Sequence, residues 1–328
     1  MLLKRRLFTL NAAATLTAPL LSRCAPPSYD FHTGKTAYPE EALPDGDLHI
    51  PLWNGAPPDG GGPLGEPRLS SHGALTNIAT PTLSVHRPNC PNGTAVIVAG
   101  GGGYRYIQIG KEGVLPARWL TSLGITAFVL LYRLPREHWK DGRMAPFQDA
   151  QRAIRLVRGH AKTFGIDPSR IGTLGFSAGG HLMGTCAIRP EWQTYRPMDL
   201  YDSVPTTLAF SLLAYPVVTL EPPYQRTNTR RMLIGDHPTE QESIDWSMQT
   251  YVRPGDPPFF LVQAADDRIA NAENTAILEK ACQDNNVDVV RYLFRHGGHG
   301  FGMGRPGTDT TVWPGLAHEW MRQRGFLS

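Results

Sequence analysis

The sequence predicts an α/β fold in which a mostly parallel central sheet carries helices on both faces. From about residue 81 onward, apolar β-rich segments alternate with segments of helical period, and this alternation is typical of a parallel sheet covered by helices. Several of the apolar segments are continuous, as in strands buried on both faces. A chain of 328 residues with 41% hydrophobic content can bury a large core.

The individual elements follow from residue spacing. Residues 95–99 form a continuous apolar run, whereas residues 82–86 alternate like a half-buried strand. Ala150, Ala153 and Ile154 begin an apolar stripe of helical spacing. The expected strands are 82–86, 95–99, 125–132, 170–176, 208–215, 259–263 and 287–294. The expected helices are 112–123, 149–162, one after residue 176, 240–251, 271–285 and 314–324.

Residues 1–24 are interpreted as an export signal. A basic run, Lys4-Arg5-Arg6, precedes an apolar stretch over 10–21 that is too short to span a membrane as an ordinary helix. The paired arginines resemble a twin-arginine signal, so we expect a periplasmic or secreted protein. Leu21-Ser-Arg-Cys24 also resembles a lipoprotein processing site, and in that interpretation Cys24 carries a lipid anchor.

The next segment, residues 25–80, is predicted to be an N-terminal arm, and residues 81–328 a catalytic domain. Nine of the fourteen residues over 54–67 are Gly or Pro, which excludes a helix or central strand there. No long insertion between 188 and 240 indicates a cap domain, so we expect an open site.

Composition excludes several function classes. The net charge of +3 comes from the leader, since residues 1–23 hold four basic residues and no acid, leaving 28 basic against 29 acidic residues. Nucleic-acid binding is therefore not expected. The four cysteines form no CxxC pair, which excludes a zinc ribbon or thioredoxin-like site, and no ligand cluster predicts a metal.

A candidate nucleophile lies in Gly175-Phe-Ser177-Ala-Gly179, a G-x-S-x-G motif between a predicted strand and a predicted helix. In that context the sharp turn exposes the serine hydroxyl, and the following N–H lies at a helix N-terminus where an oxyanion is stabilised. The alternative is a Gly-rich turn that serves only close packing.

A serine nucleophile needs a base and an orienting carboxylate, in the order Ser, Asp, His along this type of chain. Asp266 and Asp267 follow one late strand, and His296 and His299 follow the next. Both groups should therefore lie at the carboxyl edge of the sheet. We prefer His299 because glycines surround it, and expect His296 on the surface. The residues alone leave Asp266 and Asp267 open.

The loop at 100–103 consists of four glycines after the first buried strand. Backbone N–H groups in such a loop can approach a substrate oxygen without interference from a Cβ. A phosphate-binding interpretation fails because position 106 is Tyr rather than Gly, and no Gly-Lys-Ser/Thr sequence occurs. We therefore expect no nucleotide or other cofactor.

Taken together, these features resemble the α/β-hydrolase superfamily, and within it the bacterial carbohydrate-esterase branch of acetylxylan and feruloyl esterases (BD-FAE-like), over about residues 48–327. The stretches that carry the resemblance are Pro51-Leu-Trp-Asn-Gly-Ala-Pro57, Gly101-Gly-Gly-Tyr104 with Glu112-Gly113, Tyr132-Arg-Leu-Pro135, Asp149-Ala-Gln-Arg-Ala-Ile-Arg155, Gly165-Ile-Asp-Pro168, Gly175-Phe-Ser-Ala-Gly-Gly-His181 and Gly297-Gly-His-Gly-Phe-Gly302.

The resemblance implies roles for particular residues and a substrate class. The implied nucleophile, acid and base are Ser177, Asp267 and His299, and the implied oxyanion region comprises Gly102, Gly103 and Ala178. The implied substrate is a small-molecule or oligosaccharide ester, with an acetyl or feruloyl group on a plant-polysaccharide fragment. This chain departs from the family pattern at three places: Gly100, Gln263-Ala264 and Ala270-Asn271.

Aromatic residues supply the candidate substrate contacts. Tyr104 follows the oxyanion glycines and is expected to line the pocket or to pack. Trp192, Tyr195 and Tyr201 could stack on a sugar ring or form a local cluster, whereas His181 is expected to be structural.

The alternative functions are a peptidase and a binding protein without catalytic activity. A prolyl-oligopeptidase-like peptidase would need a large propeller domain, and a catalytically inactive hydrolase-fold binding protein would not need an intact triad.

Overall fold

The protein is described here by a computed structural model that covers residue 46 and residues 48–327. An eight-stranded sheet forms its centre, with the strand order β1-β4-β7-β5-β8-β9-β10-β11. The strands of the chain are β1 (Leu48–Pro51), β2 (Arg68–Leu69), β3 (Ala74–Thr76), β4 (Thr82–His86), β5 (Ala95–Ala99), β6 (Ile107–Gln108), β7 (Thr126–Leu131), β8 (Ile171–Phe176), β9 (Phe210–Ala214), β10 (Phe259–Ala264) and β11 (Val289–Phe294).

The predicted fold class is confirmed. In the described central sheet, every pairing from β7 to β11 in the strand order is parallel, and the β1–β4 and β4–β7 pairings are antiparallel. Strands β5, β7, β8, β9 and β10 are buried along their whole length. For β5, the continuous apolar run predicts this burial. A parallel sheet brings the carboxyl ends of these strands to one edge, where the functional loops meet.

Helices cover both faces of the sheet. They are α1 (Leu115–Ser122), α2 (Ala145–Gly159), α3 (Ala161–Phe164), α4 (Ser177–Ile188), α5 (Asn228–Ile234), α6 (Glu240–Asp245), α7 (Glu273–Asp284) and α8 (Trp313–Gln323). A π-helical turn, Gly110–Val114, leads directly into α1. The sequence patterns did not predict α5 or this π-helical turn. No helix within the described residues is long and apolar enough to cross a membrane.

The segment interpreted as an arm contributes to the sheet. Strand β1 lies within residues 25–80 and forms the antiparallel edge of the central sheet, so this sheet begins before residue 81. Strands β2, β3 and β6 form a separate three-stranded sheet. Trp53 is buried and donates a hydrogen bond from its indole N–H to Asp149 on α2 at 2.8 Å. The predicted export signal and Cys24 lie outside the described residues.

Candidate active site

Ser177 lies at the turn between β8 and α4, the position that the G-x-S-x-G motif predicts. Its φ angle is +50°, a backbone conformation that non-glycine residues rarely adopt. The turn is possible because its neighbours lack side chains: a Cβ on Gly179 would collide with the carbonyl oxygen of Ala99, and a Cβ on Gly175 with that of Gly179. The strained turn therefore presents the serine hydroxyl at the carboxyl edge of the sheet.

A continuous hydrogen-bond chain joins Ser177, His299 and Asp267. The Ser177 Oγ lies 2.9 Å from Nε2 of His299, and Nδ1 of His299 lies 2.7 Å from Oδ2 of Asp267. Three further donors hold the Asp267 side chain, which is fully buried. The backbone N–H groups of Ile269 and Ala270 donate to Oδ1, and the Gln263 amide donates to Oδ2.

The neighbouring acid and histidine have a different arrangement. Asp266 accepts hydrogen bonds from the N–H groups of Gly297 and Gly298 at 3.0 and 2.7 Å, and these bonds lower the pKa of its exposed carboxyl. His296 is two-thirds exposed and lies 3.7 Å from the Asp266 carboxylate. Asp266 thus holds the start of the histidine loop through its backbone N–H groups, whereas Asp267 and His299 are hydrogen-bonded in the chain that reaches Ser177.

The glycine loop lies opposite the triad. Gly102 and Gly103 line the same pocket as Ser177 and His299. Both have positive φ angles, and a Cβ would collide with Tyr106 at the first position and lie 2.7 Å from Asn228 at the second. The N–H groups of Gly102, Gly103 and Ala178 donate to no acceptor within the described part of the chain. Unpaired donors beside a serine hydroxyl are what an oxyanion requires.

Glu112 and Tyr215 are two buried residues of this site that the sequence patterns did not predict as functional. Glu112, in the π-helical turn, accepts a hydrogen bond from the Gly101 N–H at 2.7 Å and another from the Tyr215 hydroxyl at 2.9 Å. Burial raises the pKa of the Glu112 carboxyl, and these hydrogen bonds oppose the rise. The available signal was an acidic residue preceding the apolar helix α1, which is also consistent with an ordinary helix start.

The pocket itself holds about 190 Å³ and combines polar and apolar groups. Its polar wall includes side chains from the segment at the start of α5. Residues on this wall that the sequence patterns did not indicate are Tyr106, Gln108, Lys111, Thr227, Asn228 and Thr229, and the apolar contribution comes from Val217 and Ile269. These residues were missed because α5, which positions several of them, has no clear periodic pattern.

The prediction of Tyr104 as a pocket residue is wrong. Its side chain is buried, and its hydroxyl lies 3.0 Å from Nδ1 of His181. This contact, together with packing of the Tyr104 ring against Tyr132 and Phe147, places the Tyr104 side chain beneath the glycine loop rather than in the pocket. The positive φ of Tyr104, +58°, turns the side chain inward after the glycines.

Trp192 is also not a pocket residue. Its ring packs against Phe147 and Trp246, and the Arg189 guanidinium lies 3.7 Å from its ring centroid. Tyr195 and Tyr201 belong to the local cluster that was the second interpretation: the first donates its hydroxyl to Asp202, and the second stacks on His160. Aromatic composition alone could not separate stacking on a sugar from packing against α2.

Within residues 48–327, no group of three or more His, Cys, Asp or Glu side chains could hold a metal ion. His181 is buried, and its ring nitrogens have two hydrogen-bond partners, the Tyr104 hydroxyl and the carbonyl oxygen of Trp246. Burial lowers the pKa of its imidazole to about 4. Both ring nitrogens thus have partners within the fold, which fits the structural role expected for His181.

A family model and solved structures show which known proteins this chain resembles. The model of the BD-FAE family matches residues 91–282, more than half of the chain. The chain belongs to the BD-FAE family. A solved structure, the acetyl ester-xyloside bifunctional hydrolase of Caldicellulosiruptor lactoaceticus, is 30% identical and superposes with a TM-score of 0.71, covering 88% of this chain and all of the other. The expected α/β-hydrolase esterase resemblance is thereby confirmed.

Two curated proteins are also similar to this BD-FAE member. An acetylxylan esterase of Xylanibacter ruminicola is 30% identical over 66% of this chain and 43% of its own length. An endo-1,4-beta-xylanase B of Butyrivibrio fibrisolvens is 30% identical over 62% of this chain and 32% of its own. The chain thus spans less than half the length of these curated relatives. Of these relatives, the acetylxylan esterase supports the class expected from the sequence, a serine ester hydrolase.

Proposed function

We propose that this protein deacylates plant-polysaccharide fragments, removing acetyl or feruloyl groups through the Ser177–His299–Asp267 triad. The observation that carries the proposal is the unbroken hydrogen-bond chain from Asp267 to Ser177, beside a glycine loop with unpaired N–H donors. The printed descriptions of the relatives, an acetylxylan esterase and an acetyl ester-xyloside hydrolase, support the substrate class.

The proposed reaction has two halves. His299 Nε2 accepts the Ser177 proton while Oγ attacks the ester carbonyl, and the oxyanion is bound by N–H groups of Gly102, Gly103 and Ala178. Each such donor contributes about 3 kcal/mol to stabilisation of the transition state. The resulting imidazolium protonates the leaving alcohol. Water, deprotonated by His299, then releases the acid from the acyl-enzyme and restores the Ser177 hydroxyl.

The pocket wall fits a polar alcohol portion of the substrate. Asn228, Thr229 and Gln108 offer amide and hydroxyl groups of the kind that hydrogen-bond sugar hydroxyls, and Tyr106 offers an aromatic ring. Residues 215–258, between β9 and β10, hold only short helical segments, and one of them, α5, forms part of this wall. Within the described residues no separate domain covers the wall. An oligosaccharide ester suits such an open, polar rim better than a long-chain lipid.

The first test uses p-nitrophenyl acetate with wild type and Ser177→Ala. We expect turnover by wild type and its loss in the variant, together with loss of covalent labelling by a fluorophosphonate probe. Acetylated xylan, a feruloylated arabinoxylan fragment and a p-nitrophenyl ester of a long fatty acid are then compared by kcat/KM. Labelling without hydrolysis of any acetyl or feruloyl ester would leave a serine hydrolase and reject the proposed substrate class.

We further propose that the chain is exported through its N-terminal twin-arginine sequence to the periplasm or beyond. The support is the Lys4-Arg5-Arg6 run followed by a short apolar stretch. Replacing Arg5 and Arg6 by Lys should cause precursor to accumulate in the cytoplasm of a bacterial host. Globomycin, which blocks lipoprotein processing, separates a lipid anchor at Cys24 from ordinary cleavage.

A further inference from the structure

Glu112 is the buried titratable group beside the triad to which the reaction above gives no role. It lies in the π-helical turn Gly110–Val114, a rare insertion that often marks functional sites. Its side chain lines the pocket although the residue is only 5% exposed. A Cβ on Gly101 would lie 2.7 Å from the Ser177 Cβ and 3.0 Å from the Glu112 carboxylate, so the carboxylate is close to the nucleophile.

The hydrogen bonds of Glu112 connect the two loops that surround the reacting atoms. Oε2 accepts from the N–H of Gly101, which precedes the oxyanion glycines, and Oε1 accepts from the Tyr215 hydroxyl. The Tyr215 oxygen in turn accepts from the Gly302 N–H at 2.9 Å, at the end of the histidine loop. The Tyr215 ring also lies 5.0 Å from the His299 ring, measured between centroids.

The donor set favours a carboxylate over any neutral group. Gly101 presents an N–H, and Tyr215 already accepts from Gly302 and therefore has its own proton to donate. Both oxygens of the side chain at 112 must then act as acceptors, which an ionised carboxylate does and an amide cannot. Glutamine would pair with one partner and leave the other donor without an acceptor in a buried site.

We propose that Glu112 is a positioning residue of the esterase, which holds the oxyanion loop and the histidine loop together and stabilises protonated His299. The proposal rests on the proposed function, since it concerns the same reaction. His299 gains positive charge when Ser177 attacks, and a nearby ionised carboxylate favours that charge. Glu112 is thus expected to act on kcat more than on KM.

Several charged or titratable groups surround these two side chains and must be considered for pH dependence. Lys111 adjoins Glu112 on the same turn, and Tyr132 donates its hydroxyl to the Gly100 carbonyl beneath the loop. The Arg305 guanidinium donates to the backbone oxygen of His299. The remaining groups that face the two side chains are Asp267, Ser177 and Tyr215.

The test is Glu112→Gln, assayed with p-nitrophenyl acetate over pH 4–9. We expect kcat to fall about 10- to 100-fold, the size of one lost hydrogen bond to a charged group, with KM within about threefold. Removing a negative charge next to His299 makes its protonation harder. The acid limb of the kcat/KM profile should therefore move to lower pH, a change that loosened packing alone would not produce.

Asp149→Asn is the matched control, because it neutralises another buried carboxylate away from the pocket. It should lower the free energy of unfolding without moving the pH profile. If Glu112→Gln does not fold, Tyr215→Phe carries the test: it retains the Gly101 contact, removes the link to Gly302, and should lower kcat without raising KM.

The outcomes separate the two proposals. No hydrolysis by wild type rejects the proposed function. Hydrolysis by wild type with unchanged kcat in Glu112→Gln overturns the positioning role. A reduced kcat with an unmoved acid limb and a parallel rise in KM also overturns it, since that pattern indicates structural loosening alone.

Discussion

Asp149 and Asp267 are both buried carboxylates held by several N–H donors, yet their hydrogen-bond chains end in different places. Asp149 accepts from the Trp53 indole and from the backbone and side chain of Arg133, and Arg133 continues to Gln148 inside the protein. Asp267 accepts from backbone and amide donors too, but its chain continues through His299 to Ser177 in the pocket.

The comparison shows that burial and hydrogen bonding alone do not identify a catalytic acid. Both carboxylates are fully hydrogen-bonded, as buried charges must be. The difference lies in the last member of each chain: Arg133 is 1% exposed and its position is fixed, whereas Ser177 lies on a strained turn that faces a cavity. Loss of Asp149 should therefore affect stability, and loss of Asp267 should affect catalysis.

The largest expected effect is that of Asp267→Asn. The new amide would point its N–H₂ at the His299 Nδ1 position, so the ring would take the tautomer in which Nε2 is protonated and cannot accept the Ser177 proton. We expect kcat on p-nitrophenyl acetate to fall about 10⁴-fold. Asp266→Asn is the control, since Asp266 does not contact His299. Equal losses in the two variants would contradict the assignment of the acid.

The second effect tests the other half of the comparison. Asp149→Asn leaves the buried guanidinium of Arg133 without its counter-charge, and breaking one partner of a buried ion pair typically costs about 3–5 kcal/mol. We expect urea unfolding to show a loss of this size, with kcat per active site unchanged when sites are counted by fluorophosphonate labelling. A stable variant with reduced kcat would assign Asp149 to the site instead.

The third prediction concerns the pH dependence of stability that arises from His181, which is buried beneath the glycine loop. Its pKa of about 4 in the folded protein is below the value of about 6.5 for an unfolded chain. Between these values the unfolded state binds the proton more readily, so stability is full above pH 6.5 and decreases as pH falls toward 4. The expected loss is up to about 3 kcal/mol.

His181→Gln separates this contribution from other acid effects. The amide can still donate to the Trp246 oxygen and accept from Tyr104, but it does not titrate. Urea denaturation at pH 7, 5.5 and 4 should show a shallower decrease for the variant than for wild type. Parallel curves would mean that protonation of other groups accounts for the acid sensitivity.

Much of the catalytic arrangement was predictable because it depends on chain order and strand ends. Apolar β-rich segments located β5, β7, β8 and β10 within a residue or two, and parallel strands bring their carboxyl ends together. The choice between Asp266 and Asp267 was not available from the residues themselves. Only the folded loops show that the first bonds to backbone N–H groups and the second to an imidazole.

The residues that line the pocket, and those that pack beneath the glycine loop, could not be predicted from chain order and strand ends. Tyr104 directly follows the glycines in sequence, but its positive φ turns it inward, whereas Tyr106, two residues later, lines the pocket. Glu112 acquires its partners through the π-helical turn, which no periodic pattern reveals. Both outcomes depend on local backbone conformation, for which residue type is a weak guide.

The smallest expected effect comes from Gln263, one of the places where this chain departs from the family pattern. Its buried amide donates to Oδ2 of Asp267 at 2.9 Å and to the Ala270 carbonyl at 2.8 Å. Gln263→Met keeps the shape and removes both donors, so Asp267 is held less firmly. We expect kcat to fall about tenfold, the effect of one hydrogen bond to a charged group.

Gln263→His sharpens the same comparison, because a ring N–H could replace the lost amide donor to Asp267. Recovery of kcat in the His variant, with no recovery in the Met variant, would show that the donor rather than side-chain volume matters at this position. The Gln263 carbonyl oxygen has no hydrogen-bond partner in the described residues, so removing it costs no contact. If Gln263→Met retains full kcat, the two backbone N–H groups of Ile269 and Ala270 suffice to orient Asp267, the proposed catalytic acid.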